Sequence, residues 1–375
     1  MKNSRILAGL AVCFAVLAKG DPTPPLVRPP DISFQHEVEH AIDKGVQWLQ
    51  SNQNTNGWWS TADQPAVTAL ALSALMGEPS GQLRAHPPAG VERGYKFVTD
   101  HAKPDGSIYE KGLANYNTSI CMMGLLAAQN PQYDPLLRKA RQWVITQQVG
   151  GGGVGYGDHG DRSDMNNTFT ALQALYYSKY LAPADTTASG AKDLNWAGAI
   201  QFIQSCQNLP GYNKQPWVSD DPKDKGGFVY YPGNSKGPTV TNAEGRTALR
   251  SYGSISYAGL LSYIYADLKP DDPRVQAVYD WLRNNYTLDE NPGLGQQGLY
   301  YYLHLMTKAL AIYGVDQLPV KGQTVDWRRD VAMKLINLQK ADGSWTNANG
   351  RWWEHDPALV TSYSVMSLEI LYRGL

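Results

Sequence analysis

The chain has 375 residues, 42% of them hydrophobic and only 18% charged, with 33 Lys and Arg against 34 Asp and Glu. A net charge of −1 argues against a nucleic-acid partner, which needs a concentrated basic face to displace counterions from phosphate, and excludes a polybasic or polyacidic tail protein. The apolar share is that of a globular protein with a large core, and 11 Trp with 23 Tyr against 6 Phe favour half-wet walls, where a ring with a polar handle is useful.

Lys2 and Arg5 precede an uncharged apolar run over residues 6–18, and Ala18-Lys19-Gly20 sets small residues at the two positions a signal peptidase reads. Residues 1–20 are therefore expected to be an export signal, with Asp21 the first mature residue. An uncleaved anchor is the alternative, because Lys19 is unusual beside a cleavage site. The run is short for a membrane span, and no other stretch is apolar enough to be one, so no integral span is expected after cleavage. Cleavage lowers the 33 cationic residues to 30 against 34 acidic ones, a balance of −4. Residues 21–37 (DPTPPLVRPPDISFQHE) are Pro-rich and aperiodic and read as an extended linker.

From residue 38 the chain repeats itself. Each unit is a helix ending near Trp-Leu or its equivalent, then Gln, a turn with Gly, an aromatic residue, and a second helix. Unit one runs from Gly45-Val46-Gln47-Trp48-Leu49-Gln50 to Gly57-Trp58-Trp59 and a helix over 66–76; unit two turns at Asp105-Gly106-Ser107 into 118–129. Unit three has 140–148, the glycines at 150–153 and 168–179; unit four has 196–207, Gly226-Gly227-Phe228 and 254–267. Unit five has 275–286, a looser turn and 299–314; unit six turns at Asp342-Gly343-Ser344-Trp345 into 360–371. The turn glycines are read at 57, 106, 153, 227, 295 and 343, and the two long intervals mark insertions near residues 182–193, 209–225 and 232–250. Asp-Gly supplies the left-handed residue that ends a helix, the following Trp or Tyr covers that helix end, and the upstream Gln reaches the freed backbone groups. The second helices are small and apolar nearly all round (Ala69-Leu70-Ala71-Leu72-Ser73-Ala74-Leu75), so they are buried, with the first helices outside them. An α/α array can be an open solenoid, but six pairs with an inner and an outer layer predict an all-α fold, a closed (α/α)6 toroid over 38–375 that needs no terminal caps. Cys121 and Cys206 fall in apolar helical patterns without a CxxC partner; buried free thiols are expected and structural zinc is not.

The Gln-x-x-x-Gly-x-Trp pattern, specific in the copy ending at Trp345 and partial at Trp59, Ile108 and Tyr230, resembles the prenyltransferase and squalene-oxidase repeat. That resemblance implies the toroid of squalene-hopene cyclases and of protein prenyltransferase β subunits, and an isoprenoid or other apolar small molecule as partner. Cyclases of that kind carry DxDDT at an inner-helix start; here the place reads Asp164-Met165-Asn166-Asn167-Thr168, and an amide cannot protonate an alkene. Asp164 is nevertheless the candidate acid, with a helix cap as its alternative role. The zinc ligands of prenyltransferases have no counterpart at residues 250–257 or 360–363, so no cofactor is assigned. Asp220-Asp221-Pro222-Lys223-Asp224 matches DDxxD, but its prolines place it in a loop.

Four clusters are expected at the mouth formed by the inner-helix starts. Asp158, His159 and Asp161 with Asp164 have the donor types of a divalent-cation site, with a solvated loop as the alternative, and no metal is assigned. Glu244, Arg246, Arg250, Tyr252 and Ser254 offer two guanidiniums to a phosphate or carboxylate, or are ordinary loop ion pairs. Tyr300, Tyr301 and Tyr302 with His304 lie on one inner helix; Tyr300 and His304 share a face and would stabilise a cation or move a proton, unless the histidine is packed core. Trp352, Trp353, Glu354, His355 and Asp356 are expected to form an aromatic rim and a cap, with Asp356 also a catalytic candidate. Three functions compete: an exported isoprenoid-binding toroid, a carbohydrate-active toroid enzyme, and a protein-interaction scaffold. An apolar cavity favours the first, a polar trough the second and a filled core the third.

Overall fold

The computed structural model describes residues 31–157, 162–182, 193–241, 245 and 247–375. The expected export signal (1–20), Asp158, His159, Asp161, Glu244 and Arg246 lie outside the described residues. Among the described residues, twelve helices of ten residues or more alternate between an outer and an inner layer. The outer helices are α1 (Ile32–Ser51), α3 (Ala89–Asp100), α5 (Asp134–Thr146), α7 (Trp196–Ser205), α9 (Pro273–Asn284) and α11 (Trp327–Leu338). The inner ones are α2 (Pro65–Met76), α4 (Ala114–Ala127), α6 (Met165–Tyr177), α8 (Gly253–Tyr265), α10 (Leu299–Tyr313) and α12 (Pro357–Tyr372). Each inner helix packs on the next, and α12 packs on α2, so the inner ring is closed. Eleven of the twelve residues of α2 are buried, as an all-round apolar sequence requires.

The expected linker is corrected at its C-terminal end: residues 32–37 belong to α1. Asp31 caps the helix by accepting the Phe34 N–H at 3.1 Å, and Phe34, Val38 and Ile42 already follow helical spacing into the core. Two small antiparallel ribbons depart from the all-helical expectation without disturbing the rings. Strand β1 (Thr239–Thr241) pairs with β2 (Thr247–Leu249) in the third insertion, and β3 (Leu318–Val320) pairs with β4 (Gln323–Val325) between α10 and α11.

The repeat joins unit to unit by three devices. A left-handed glycine lies against the backbone of the next outer helix: a Cβ on Gly57 would fall 2.4 Å from Arg93 O, on Gly226 2.1 Å from Ala277 O, and on Gly343 2.5 Å from Lys44 O. In units three and four this residue is Gly152 or Gly226, one position before the expected 153 and 227. The repeat Gln donates twice, to its own turn and to the next unit. Gln53 reaches Gly57 O and Gly90 O, Gln148 reaches Gly152 O and Asn195 O, and Gln207 reaches Gly226 O and Arg274 O. Gln339 reaches Gly343 O at 3.0 Å and Ala41 O on α1 at 2.9 Å, which closes the seam between the last unit and the first. Finally, an inner-helix hydroxyl accepts the N–H two residues after the turn glycine: Thr68 from Trp59, Thr118 from Ile108, Thr168 from Val154, Ser256 from Phe228 and Thr361 from Trp345. Trp59 and Trp345 cover the preceding helix ends as expected, their indole N–H donating to Leu49 O and Leu335 O at 2.8 Å.

Candidate functional site

The N-terminal ends of all six inner helices converge on one cavity of about 320 Å³. Ala66 and Val67 come from α2, Tyr116 from α4, Asn166 from α6, Ile255 from α8, Tyr301 from α10, and Leu359 and Tyr363 from α12; Tyr156, Tyr230, Tyr252, Trp352 and Trp353 complete an aromatic wall. The hydroxyls of that wall are turned onto one another and onto amides. Tyr156 and Tyr230 meet at 2.8 Å, Tyr116 and Tyr363 at 3.5 Å, and the Tyr301 hydroxyl donates to Asn166 Oδ1 at 2.6 Å. What remains toward the cavity is mostly ring face. Burial first, then neighbouring acidic groups, holds the Tyr252 and Tyr301 phenols well above their ordinary range, so neither ionises near neutrality.

Among the described residues, two charged side chains reach the wall, Lys236 and Glu354. The Lys236 ammonium lies over the Tyr230 ring, 4.3 Å from its centroid. Glu354 is buried, and its carboxylate sits at the N-terminus of α10, accepting the Tyr301 N–H at 2.8 Å and the Asn347 side-chain N–H at 2.7 Å. It acts as a cap supplied from the neighbouring unit, where the helix dipole favours an anion. Burial nonetheless raises its pKa.

Asp164 lies behind the wall rather than on it, 2% exposed. It caps α6: Oδ1 accepts the Asn167 N–H at 2.9 Å and Oδ2 accepts the Asn167 side-chain N–H at 2.8 Å. Burial raises its pKa against these bonds, which makes it a weaker acid. The Thr of the Asp164–Thr168 segment is accounted for differently from a cyclase motif, because Thr168 is the turn-holding hydroxyl present in five units. Of the two amides between them, Asn166 faces the cavity, whereas Asn167 is buried against Asp164 and Asn115.

The expectation for α10 is corrected by one position. Tyr301 lines the cavity, while Tyr300 is buried away from it. The helix starts after a left-handed Gly298, and that sets the rotation by which residue 301 faces inward. His304 is packed below the cavity: it stacks on Tyr363 with centroids 5.3 Å apart, and Nδ1 lies 3.1 Å from the Ser367 hydroxyl. Burial first, then Lys308, drives its pKa well below the histidine range. One turn deeper, Lys308 reaches Gln173 on α6 at 3.3 Å, and burial lowers its pKa to about 8. The ring is thus open at the mouth and bridged below by a contact between α6 and α10, the two helices that flank α8.

Arg250 takes the alternative role expected for it, an ordinary loop ion pair. Its guanidinium is spent on Asp224 at 2.7 Å and Asp221 at 3.2 Å, so two acids of the DDxxD match pair with one guanidinium of the candidate anion site. Among the described residues no cluster of three metal-ligating side chains occurs, and no helix is long and apolar enough to cross a membrane. Cys121 and Cys206 are buried free thiols.

A second depression of about 530 Å³ adjoins the mouth, a basin bordered by Ser60, Thr61, Asp63, Gln64, Lys111, Trp353, His355 and Asp356. Asp356 here caps α12, accepting the Ala358 N–H at 2.8 Å and the Leu359 N–H at 3.2 Å, and takes the Ser60 hydroxyl as well. The backbone around both openings is strained. Ser60, Leu113, Trp352 and Trp353 have φ of 66°, 49°, 54° and 66°, and they are four of the seven described non-glycine residues with positive φ. Each such residue costs about 1–3 kcal/mol and persists only where its surroundings hold it.

Sequence reasoning placed Trp352 and Trp353 on the rim but missed most of the wall, including Tyr116, Tyr156, Tyr230 and Tyr363, and it missed Ser60, Asp63 and Lys111 of the basin. One signal was available. Ala66, Tyr116, Asn166, Ser254 and Leu359 each stand two residues before the turn-holding hydroxyl of their unit, and every one of them borders the cavity.

The sequence matches no family model and no curated protein. Solved structures do match. The type II terpene cyclase MstE from Scytonema, in a variant holding the substrate geranylgeranyl dihydroxybenzoate, aligns with a TM-score of 0.57 and 12% identity over 92% of this chain and 100% of that one. Another variant of the same cyclase, holding the product merosterolic acid A, gives 0.56 and 13% over 92% and 100%. A glycosidase gives 0.54 and 10%, again over 92% of this chain and 100% of the other. The chain therefore has the terpene-cyclase-like α/α toroid fold, which a glycosidase shares.

Proposed function

We propose that this chain is an exported toroid that binds an isoprenoid or other apolar small molecule in the tyrosine-walled cavity. The observation that carries the reading is the wall itself. Six helix ends present ring faces and aliphatic side chains to a space of about 320 Å³, at the lower end of the roughly 300–1,000 Å³ of small-molecule sites. The aligned cyclase, which holds a geranylgeranyl substrate, supports an isoprenoid as the first ligand to try.

Binding without cyclisation fits the acids among the described residues. Alkene protonation needs an unusually strong acid reaching the substrate. Asp164 is withdrawn behind the wall and made weaker by burial, and Glu354 is engaged by the first turn of α10. Export rests on the N-terminal pattern of residues 1–20. The polar basin and the glycosidase alignment favour a second reading, a carbohydrate-active toroid.

Native mass spectrometry of the protein isolated with its membranes, with lipid extraction in parallel, tests the first reading. A co-purifying apolar ligand, lost on Ile255→Trp or Leu359→Trp, is the expected result. A clean protein mass together with no binding of added farnesol overturns it.

A further inference from the structure

Gln64 and Trp353 border both the tyrosine cavity and the basin, so the two spaces meet along one wall. Their chemistry differs sharply. The cavity is ring and aliphatic surface; the basin is bordered by hydroxyls, two carboxylates, an ammonium and an imidazole, with one large aromatic face. We propose that the basin is a headgroup site for a neutral sugar joined to the chain that fills the cavity, so that the ligand class is a prenyl glycoside. The proposal rests on the apolar reading of the cavity.

The mixture of groups selects this headgroup. A phosphate would call for clustered cations, but among the described residues the basin offers one lysine or arginine, Lys111, and Asp63 lies 3.9 Å from it. A quaternary amine would call for an aromatic cage, and the basin offers one ring. A sugar presents hydroxyls that both donate and accept along its edge, and an apolar face of C–H groups. Asp63, Thr61, Lys111 and His355 supply acceptors and donors for the edge, and the Trp353 ring, 44% exposed, supplies a partner for the face.

The backbone holds that ring out. Trp352 and Trp353 are consecutive left-handed residues. Trp352 is braced on Gly298, where a Cβ would come 3.0 Å from its ring. On the other side Glu354 is anchored to α10 and Asp356 to α12. The rim is thus fixed from both sides while Trp353 stays uncovered between the two spaces. Asp63 is 55% exposed and open to a ligand.

The test compares three probes by isothermal titration against the full-length protein: farnesol, farnesyl β-glucoside and methyl β-glucoside. The glucoside of farnesol is expected to bind at least tenfold tighter than farnesol, with methyl glucoside far weaker than either. Asp63→Ala and His355→Ala are each expected to shrink the ratio of the two farnesyl affinities toward one. Equal affinities of farnesol and its glucoside for the unsubstituted protein overturn the headgroup site and leave the apolar cavity standing. Failure of both farnesyl probes overturns the cavity reading and the proposal together. Tight binding of methyl glucoside alone overturns the joint ligand in favour of a free carbohydrate. A ratio untouched by both substitutions overturns the assignment of the basin.

Discussion

Several buried ionisable groups are held off their ordinary pKa values, and each gives stability a defined pH dependence. His304 has a folded pKa depressed well below 6.5 by burial and by Lys308. The stability it contributes is present above the ordinary histidine value and is lost as the pH falls below it. Urea midpoints at pH 7 and pH 5 should therefore drop more for the wild type than for His304→Phe, which keeps a ring against Tyr363. Glu369 on α12 is the opposite case. Burial, with Glu78 nearby, raises its pKa well above 4.5, against Arg373 and Arg84. Its contribution is full below the ordinary glutamate value and is lost as the pH rises through the raised one. Glu369→Gln should consequently be favourable relative to wild type at pH 8, and this advantage should vanish by pH 4; thermal midpoints across that range check it.

At the scale of the helix pair, stability sits in the turn. Gly226 combines φ of 99° with a backbone oxygen 2.1 Å from where a Cβ would go. Gly226→Ala should cost more than about 1 kcal/mol and lower the midpoint by at least about 1 °C. The loose fifth turn provides the contrast, because Gly295 has φ of 59° and nothing within 4 Å; Gly295→Ala should cost less in the same calorimetric scan. The repeat, the layer assignment and the closing of the ring were legible in the sequence because glycine, glutamine and the inner apolar runs are demanded by local backbone geometry. The cavity wall was not, because it depends on helix rotation to within one residue. Periodicity placed Tyr300 and His304 on a shared face but could not say that the face turned inward begins at Tyr301. Arg250 stayed open between an anion site and an ion pair for a different reason: its partners Asp221 and Asp224 come from an aperiodic insertion, 29 and 26 residues away. Aligning the units on the Thr68, Thr118, Thr168, Ser256 and Thr361 hydroxyls points to five wall positions and would have recovered the three that were missed, Ala66, Tyr116 and Leu359.

For the whole molecule, the seam decides how the protein comes apart. In an open repeat array the terminal units fray first, because each has a single neighbour. Here Gln339 and Gly343 bind α1, and α12 packs on α2, so each unit has two neighbours. Gln339→Ala removes the donor to Ala41 O and Gly343 O and should cost about 1–3 kcal/mol. It should also turn one cooperative transition into a broader one, visible as non-coincident fluorescence and circular-dichroism melts. The same seam has a kinetic meaning. The bond from Gln339 to Ala41 joins residues 298 positions apart, so it forms only after nearly the whole chain has emerged. Until then α1 and α2 hold an apolar face with no partner. Ring closure is then a slow, late step of high contact order, and the interval before it is when the chain is most exposed to aggregation and to any chaperone that shields the first pair.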